Sequence, residues 1–264
     1  EDDMLNLDRR FFSDVLRLLT GRGFTLSAMN GIYPGNVDIQ MMNEMHEAGF
    51  RRLNFSLVDI ADPVLAGQKR RQSDAFIDLL PFLEDSSFLV EVHFIIGLPG
   101  QEPGRLLDTL LFLMDKRLLL GPSVFYLAPG SALSRSNGPF SQMRFSQMRS
   151  SFMFPINPLF PRTVTFTIVK LVRFINWVKQ VIDKSEGAER ISDLLDGMAM
   201  PGDETSRVII ERLLREKRLV RYERSTGTFG NEPVDQGLVA SFFGRARGRH
   251  IKGFKTNRSV VMDV

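Results

Sequence analysis

One stretch of the chain combines residue types and spacing suited to chemistry: Glu91-Val92-His93-Phe94-Ile95-Ile96 followed by Gly97-Leu98-Pro99-Gly100-Gln101. It reads as a buried strand that ends in a Gly/Pro loop before a helix. In wound α/β proteins ligands sit at the C-terminal ends of strands, and glycines there let main-chain groups approach a flat ring or a phosphate closely. A tight βα turn without a ligand fits the same residues. His93 has two readings as well, a hydrogen-bonded core histidine or an inward-facing proton-transfer group at a strand tip.

The elements that would position these residues alternate along the first 130 residues, in the sequence form of βαβ units and a parallel sheet. Helical periodicity runs over 7–19, 37–48, 74–83 and 103–114, with Gly49 as a C-cap and Pro103 at an N-terminus. Strand-type segments fall at 24–29, 52–58, 88–96 and 123–127. The expected fold class is α/β: the later half of a TIM-like (β/α) barrel followed by a smaller α-rich appendage with a β-hairpin. The expected division is a half-barrel over 1–131, a linker or lid over 132–162, and an α-rich region with a basic tail over 163–264. The last region holds an amphipathic helix over 163–183, read as packed rather than membrane-bound, a helix over 206–215, and a hairpin around Ser225-Thr226-Gly227.

Composition narrows the chemistry. With 264 residues, 43% hydrophobic and 25% charged, the chain is long and apolar enough to bury a core. It contains no cysteine, which excludes disulfides and any cysteine-ligated zinc or iron–sulfur site within these residues. His46, His93 and His250 are too scattered for a histidine cage. The net charge of +3 is too balanced to mark a nucleic-acid binder, although 236–262 lacks acidic residues and carries Arg245, Arg247, Arg249, Lys252, Lys255 and Arg258. That tail admits RNA, a solvated surface, or contact with an acidic patch of the same chain. No apolar run spans a membrane and Glu1-Asp2-Asp3 is unlike a signal peptide, so a cytoplasmic location is expected. The non-Met start and the four-strand count suggest a fragment of a longer reading frame.

The loop GLPGQ after an apolar strand, preceded by EDDMLNLDRRFF, LSAMNGI and MNEMHEAGFRRLNFSLVDI and by Lys69-Arg70, resembles the later half of a radical S-adenosylmethionine core domain. The likeness covers about residues 1–130 and is to the branch whose members often carry a cobalamin-binding domain. It implies an enzyme that cleaves S-adenosyl-L-methionine reductively at a [4Fe-4S] cluster to give a 5′-deoxyadenosyl radical. The cluster loop CxxxCxxC would lie upstream, and the cysteine-free chain alone would be inactive. Cobalamin-linked methyl transfer or rearrangement is the more specific extension, with a small-molecule substrate and an electron donor such as flavodoxin or ferredoxin as partners.

The resemblance also assigns residues. The loop Gly97, Leu98, Pro99, Gly100 and Gln101 would meet adenine through main-chain groups. Arg70 would bind the methionyl carboxylate, for which a guanidinium is suited by permanent charge and bidentate geometry. Ser56 and Asp59, at the end of the preceding strand, would reach ribose hydroxyls or substrate, with a helix cap as the plainer role of Asp59. Val58 and His93 depart from the family's pattern, which often has Glu or Gln at the first position and in some members an acidic residue at the second. The alternatives are a cluster-less, non-catalytic module that binds a partner protein or RNA, and another α/β-barrel enzyme that holds a nucleotide on the GLPGQ loop.

Overall fold

The computed structural model describes residues 5–58, 73–131, 143–196 and 204–264. Its centre is a four-stranded parallel sheet built from β1 (Leu26–Ile32), β2 (Phe50–Val58), β3 (Leu89–Ile96) and β4 (Leu119–Val124). The strands lie side by side in chain order, β1-β2-β3-β4. No strand is skipped, so this sheet has no topological switch point of the doubly wound kind. Right-handed crossovers between neighbouring parallel strands then carry every connecting helix to the same face.

Those helices are α2 (Ile39–Ala48), α3 (Ser73–Asp85) and α4 (Pro103–Met114), and α1 (Arg9–Leu19), which precedes β1, packs beside α2. Asp8 and Asp38 cap α1 and α2, accepting from the amides of Phe11 and Met41 at 2.9 Å each. Such a cap supplies one of the acceptors that the first helical turn lacks. Gly49 ends α2 with φ of +107°, and a Cβ there would lie 2.1 Å from the Phe24 carbonyl oxygen, so the turn into β2 requires glycine. The core follows from strand alternation: Leu53, Phe55 and Leu57 on β2 and Val90, Val92, Phe94 and Ile96 on β3 are buried. Met41, Met45, Phe76, Leu79, Leu106 and Leu110 from the helix layer join the same cluster.

The element boundaries differ from the sequence expectation most at β4, expected at 123–127 and found at Leu119–Val124. Gly121-Pro122 looks like a break in the sequence, yet β4 is an edge strand, where a residue without an N–H is tolerated. The outer edge of β4 is covered by α5 (Arg162–Lys184). Its Asn176 side chain accepts from Leu120 N at 3.0 Å and donates to Leu120 O at 2.7 Å, as a neighbouring strand would. One face of α5 is buried through Ile168, Leu171, Ile175, Val178 and Ile182, which is the packed arrangement.

The C-terminal region contains α6 (Ile191–Asp196), α7 (Glu204–Glu216), the hairpin β5 (Val220–Glu223) and β6 (Thr228–Asn231), α8 (Gln236–Ala246), and a second ribbon of β7 (His250–Lys252) and β8 (Ser259–Val261). The last helix and ribbon were not expected. Val239, Phe242, Phe243 and Ala246 bury one face of α8, and the Phe174 and Phe243 rings meet at 5.6 Å. The basic tail is thereby folded onto the chain: Arg245 pairs with Asp108, Lys252 Nζ lies 2.8 Å from Glu84 Oε1, and Arg258 donates to the Ser185 carbonyl. Two of the six basic residues, Arg245 and Lys252, thus pair with acidic groups of the same chain. No helix among the described residues is long and apolar enough to cross a membrane.

Candidate functional site

Parallel sheets are usually covered on both faces. Here the face opposite the helices carries polar residues, several of them partly exposed among the described residues. Along β3 the residues alternate between buried Val90, Val92 and Phe94 and partly exposed Glu91, His93 and Ile95. On β2 the corresponding positions are Arg52, Asn54 and Ser56. Ser56 lies opposite His93, which lies opposite Gly121, so these three form one row across β2, β3 and β4.

Glycines make room for that row. A Cβ on Gly121 would stand 2.8 Å from His93 Cε1 and Nδ1, and one on Gly31 would stand 2.5 Å from Ser56 Oγ. Gly31 also has φ of +103°, where L-residues are strained. The imidazole and the hydroxyl thus occupy space that side chains on the outer strands would otherwise fill. Gly121→Ala should push the imidazole out of the row and lower stability by about 1–3 kcal/mol, the usual cost of overpacking. Urea denaturation and the three-histidine region of an NMR spectrum would check this: the His93 ring signals should move while those of His46 and His250 stay.

The electrostatics are set by Glu91. Its Oε2 lies 2.5 Å from Arg52 Nη2, and its Oε1 lies 3.2 Å from His93 Nε2. The second approach is out of line for a good hydrogen bond, and we read it as attraction between charges when the imidazole is protonated. His93 first, and Arg52 next, hold the Glu91 carboxyl down at about 2 against the opposing effect of burial. Glu91 is therefore a carboxylate throughout the neutral range, too acidic to act as a base there. It can orient His93 through the approach of its Oε1 to Nε2.

Asn54 is buried beside this pair. Its Nδ2 donates to Met29 O at 2.8 Å, taking a carbonyl that the irregular β1–β2 register leaves out of the ladder. Asn54 Oδ1 and His93 Nε2 are both buried without a hydrogen-bond partner among the described residues. Asn54 Oδ1 thus lacks a donor among the described residues, although buried polar atoms are nearly always satisfied.

The Gly97–Gln101 loop follows β3 directly. Gly97 and Gly100 both have positive φ, +86° and +82°. The fully buried Gln101 side chain closes the turn: Oε1 accepts from Gly97 N at 2.7 Å and Leu98 N at 3.3 Å, while Nε2 donates to Ile95 O at 2.9 Å. Asn157 closes it from outside, its Nδ2 donating to Leu98 O at 2.7 Å and Gln101 O at 2.8 Å. Gly97 and Leu98 are buried, and Pro99 and Gly100 are the exposed part of the loop.

Of the residues expected to act together, the structure brings Ser56 and His93 into one row and sets the loop at the end of the strand that carries His93. Asp59, Lys69 and Arg70 lie outside the described residues. Arg52, Asn54, Glu91, Gly31, Gly121 and Asn157 were missed as site residues. The alternation Glu91-Val92-His93-Phe94 signalled that Glu91 and His93 share a face, whereas the partnership with Arg52, 39 positions away, depends on the β2–β3 register. Among the described residues no group of three or more His, Asp or Glu side chains is placed to hold a metal ion.

No family model matches the chain, and no curated protein does. Solved structures do. One is the radical S-adenosylmethionine methyltransferase TsrM from Kitasatospora setae with cobalamin and a [4Fe-4S] cluster bound, at 20% identity and a TM-score of 0.43, covering 48% of this chain and 27% of that one. A second structure of TsrM, with tryptophan substrate and the analogue aza-SAM bound, gives 20% identity and a TM-score of 0.39, covering 45% of this chain and 25% of that one. The chain therefore spans about a quarter of the length of the structures it matches.

Proposed function

We propose that the chain forms the ligand-facing wall of a barrel of the radical S-adenosylmethionine type, with the row Ser56–His93 and the Pro99–Gly100 tip as the surface offered to S-adenosylmethionine. The observation that carries this reading is the polar, partly exposed face of a sequentially ordered parallel sheet, ending in the GLPGQ turn. A cluster does not fit these residues, because the chain has no thiolate to ligate it. Any [4Fe-4S] cluster of the whole protein would be held by residues outside these 264.

S-adenosylmethionine fits in part. Its ribose brings hydroxyl donors, which the face lacks at Asn54 Oδ1, and Ser56 Oγ can donate or accept beside them. When bound it would supply the adenosyl group. The amides of Gly97 and Leu98 already bond to Gln101, so on this reading the adenine rests against Pro99 and Gly100 instead. Glu91 then serves by fixing His93 toward the ligand, and Arg52 by keeping that carboxylate ionised. Cobalamin, a small-molecule substrate, a flavodoxin- or ferredoxin-type electron donor and a cytoplasmic setting belong to the whole protein in this proposal.

Calorimetric titration of the 264-residue chain with S-adenosylmethionine tests it. Saturable sub-millimolar binding is expected, weakened about tenfold by Ser56→Ala if one hydrogen bond to the ribose is lost. An absence of binding at millimolar ligand, with the chain folded by circular dichroism, overturns it. The second reading, a cluster-less binding module, is favoured by the complete lack of cysteine and predicts that absence.

A further inference from the structure

A cleft of about 680 Å³ lies away from the sheet, between α5, α7 and the β5–β6 hairpin. That is within the range of ligand sites. One wall is α7, through Thr205, Ile209, Ile210 and Leu213, positions on one helical face spanning about 12 Å. The opposite wall is β5. Leu219, Val220, Arg221 and Tyr222 all line the cleft although they are consecutive. Side chains in a strand alternate between faces, so consecutive lining residues mean that the edge of β5 fronts the cleft. Among the described residues β5 pairs only with β6, in a two-stranded sheet, and an antiparallel pair leaves alternate residues with N–H and C=O directed away from the partner.

The floor is apolar, with Phe174 and the half-buried Trp177 from α5. The rim is cationic. Lys170 is paired with the buried Glu232, but Arg173 and Arg224 make no ion pair among the described residues. Arg221 has only an exposed contact with Glu223, 3.7 Å apart.

We propose that this cleft binds an extended acidic peptide segment of a partner protein, which adds a strand to the free edge of β5. The edge supplies main-chain hydrogen bonds, the floor takes alternate aliphatic side chains, and Arg173, Arg221 and Arg224 meet the carboxylates between them. The charge pattern selects the occupant: a cationic or neutral peptide would leave the rim arginines uncompensated. The proposal does not depend on what the polar face of the parallel sheet binds.

Trp177 is the only tryptophan of the chain and lines the cleft, so its fluorescence reads occupancy directly. The probes are an eight-residue peptide of alternating glutamate and valine, its lysine–valine counterpart, and the acidic peptide N-methylated at alternate residues. The acidic peptide should change Trp177 emission saturably and more weakly in high salt. Arg173→Glu with Arg224→Glu should weaken it about tenfold or more while the circular dichroism of the chain is unchanged. The lysine–valine peptide should have no effect, and N-methylation should abolish binding by removing donors. No change with the acidic peptide, equal binding of the lysine–valine peptide, or retained binding after N-methylation overturns the proposal. So does a single-stranded RNA oligonucleotide that changes Trp177 emission where the acidic peptide does not.

Discussion

Arg117→Met should lower the unfolding free energy by about 3–5 kcal/mol, the cost of breaking a buried charged network from one side. Arg117 is buried and donates to four main-chain carbonyls: Nε to Glu84 O at 2.6 Å, Nη2 to Leu83 O and Ser86 O at 2.5 Å each, and Nη1 to Phe88 O at 3.3 Å. Two of these acceptors belong to the last turn of α3, whose final carbonyls have no partner within the helix, and a cation there also meets the negative end of the helix dipole. The other two belong to the turn that feeds β3. Methionine fills similar space but donates nothing, so Glu84 O, Ser86 O and Phe88 O lose this donor, while Leu83 O keeps the Ser86 hydroxyl at 2.9 Å. Urea denaturation should show a lower midpoint at an unchanged slope. Arg117→Lys should recover only part of the loss, because three donors on one nitrogen do not match a planar fork. A loss below about 1 kcal/mol would mean that the carbonyls find other partners.

The consequence reaches the site, because Arg117 holds the start of the strand on which Glu91 and His93 sit. Its main-chain N–H also donates to Glu84 Oε1 at 3.2 Å, and the same carboxylate oxygen takes Lys252 from the C-terminal ribbon. One carboxylate thus joins α3, the approach to β4, and β7. The polar face is positioned from behind by charges that the sequence scatters over 168 residues between Glu84 and Lys252.

That scatter explains what was legible in the sequence. The helix–strand alternation of the first half and the strand-turn-helix around GLPGQ could be read, because period and punctuation are local signals. His93 and Ser56 could be nominated, since both sit in strand-type segments next to loops. Their shared row could not, because it depends on register. β4 was displaced because Pro122 reads as a breaker until its strand is known to be at the edge. The apolar spacing of Val239, Phe242, Phe243 and Ala246 was present for α8, but Gly237 and Gly244 and the arginines after them made the segment look like a tail. Gln101 shows a different limit. A glutamine in a Gly/Pro loop looks available to a ligand, and only the structure shows its amide spent on the turn itself.

Lys179 should make the protein more stable as the pH rises above neutrality, against the usual expectation for a lysine. It is fully buried on α5, and its Nζ donates to Met114 O at 2.8 Å, Lys116 O at 2.6 Å and Lys252 O at 3.0 Å. Burial pushes its pKa down from 10.5 to about 7, although Asp115, Asp183 and Glu84 act in the opposite direction. Below about pH 7 the folded and unfolded chains both hold this proton, and Lys179 contributes no slope. Between about 7 and 10.5 the unfolded chain holds it and the folded chain increasingly does not, so the unfolded state binds more protons and stability rises with pH. The contribution approaches about 1.4 kcal/mol per pH unit in the upper part of that window. Denaturant titrations of the native chain and of Lys179→Met, compared from about pH 6 to about pH 9, isolate it: the difference between the two should grow in favour of the native chain. A constant difference would show that the three carbonyls and the acidic neighbours keep the amine charged. The neutral amine has two N–H donors for the three carbonyls at the end of α4, in the following turn and on β7, so two of these bonds and the joint between the sheet layer and the C-terminal ribbon should persist across the titration.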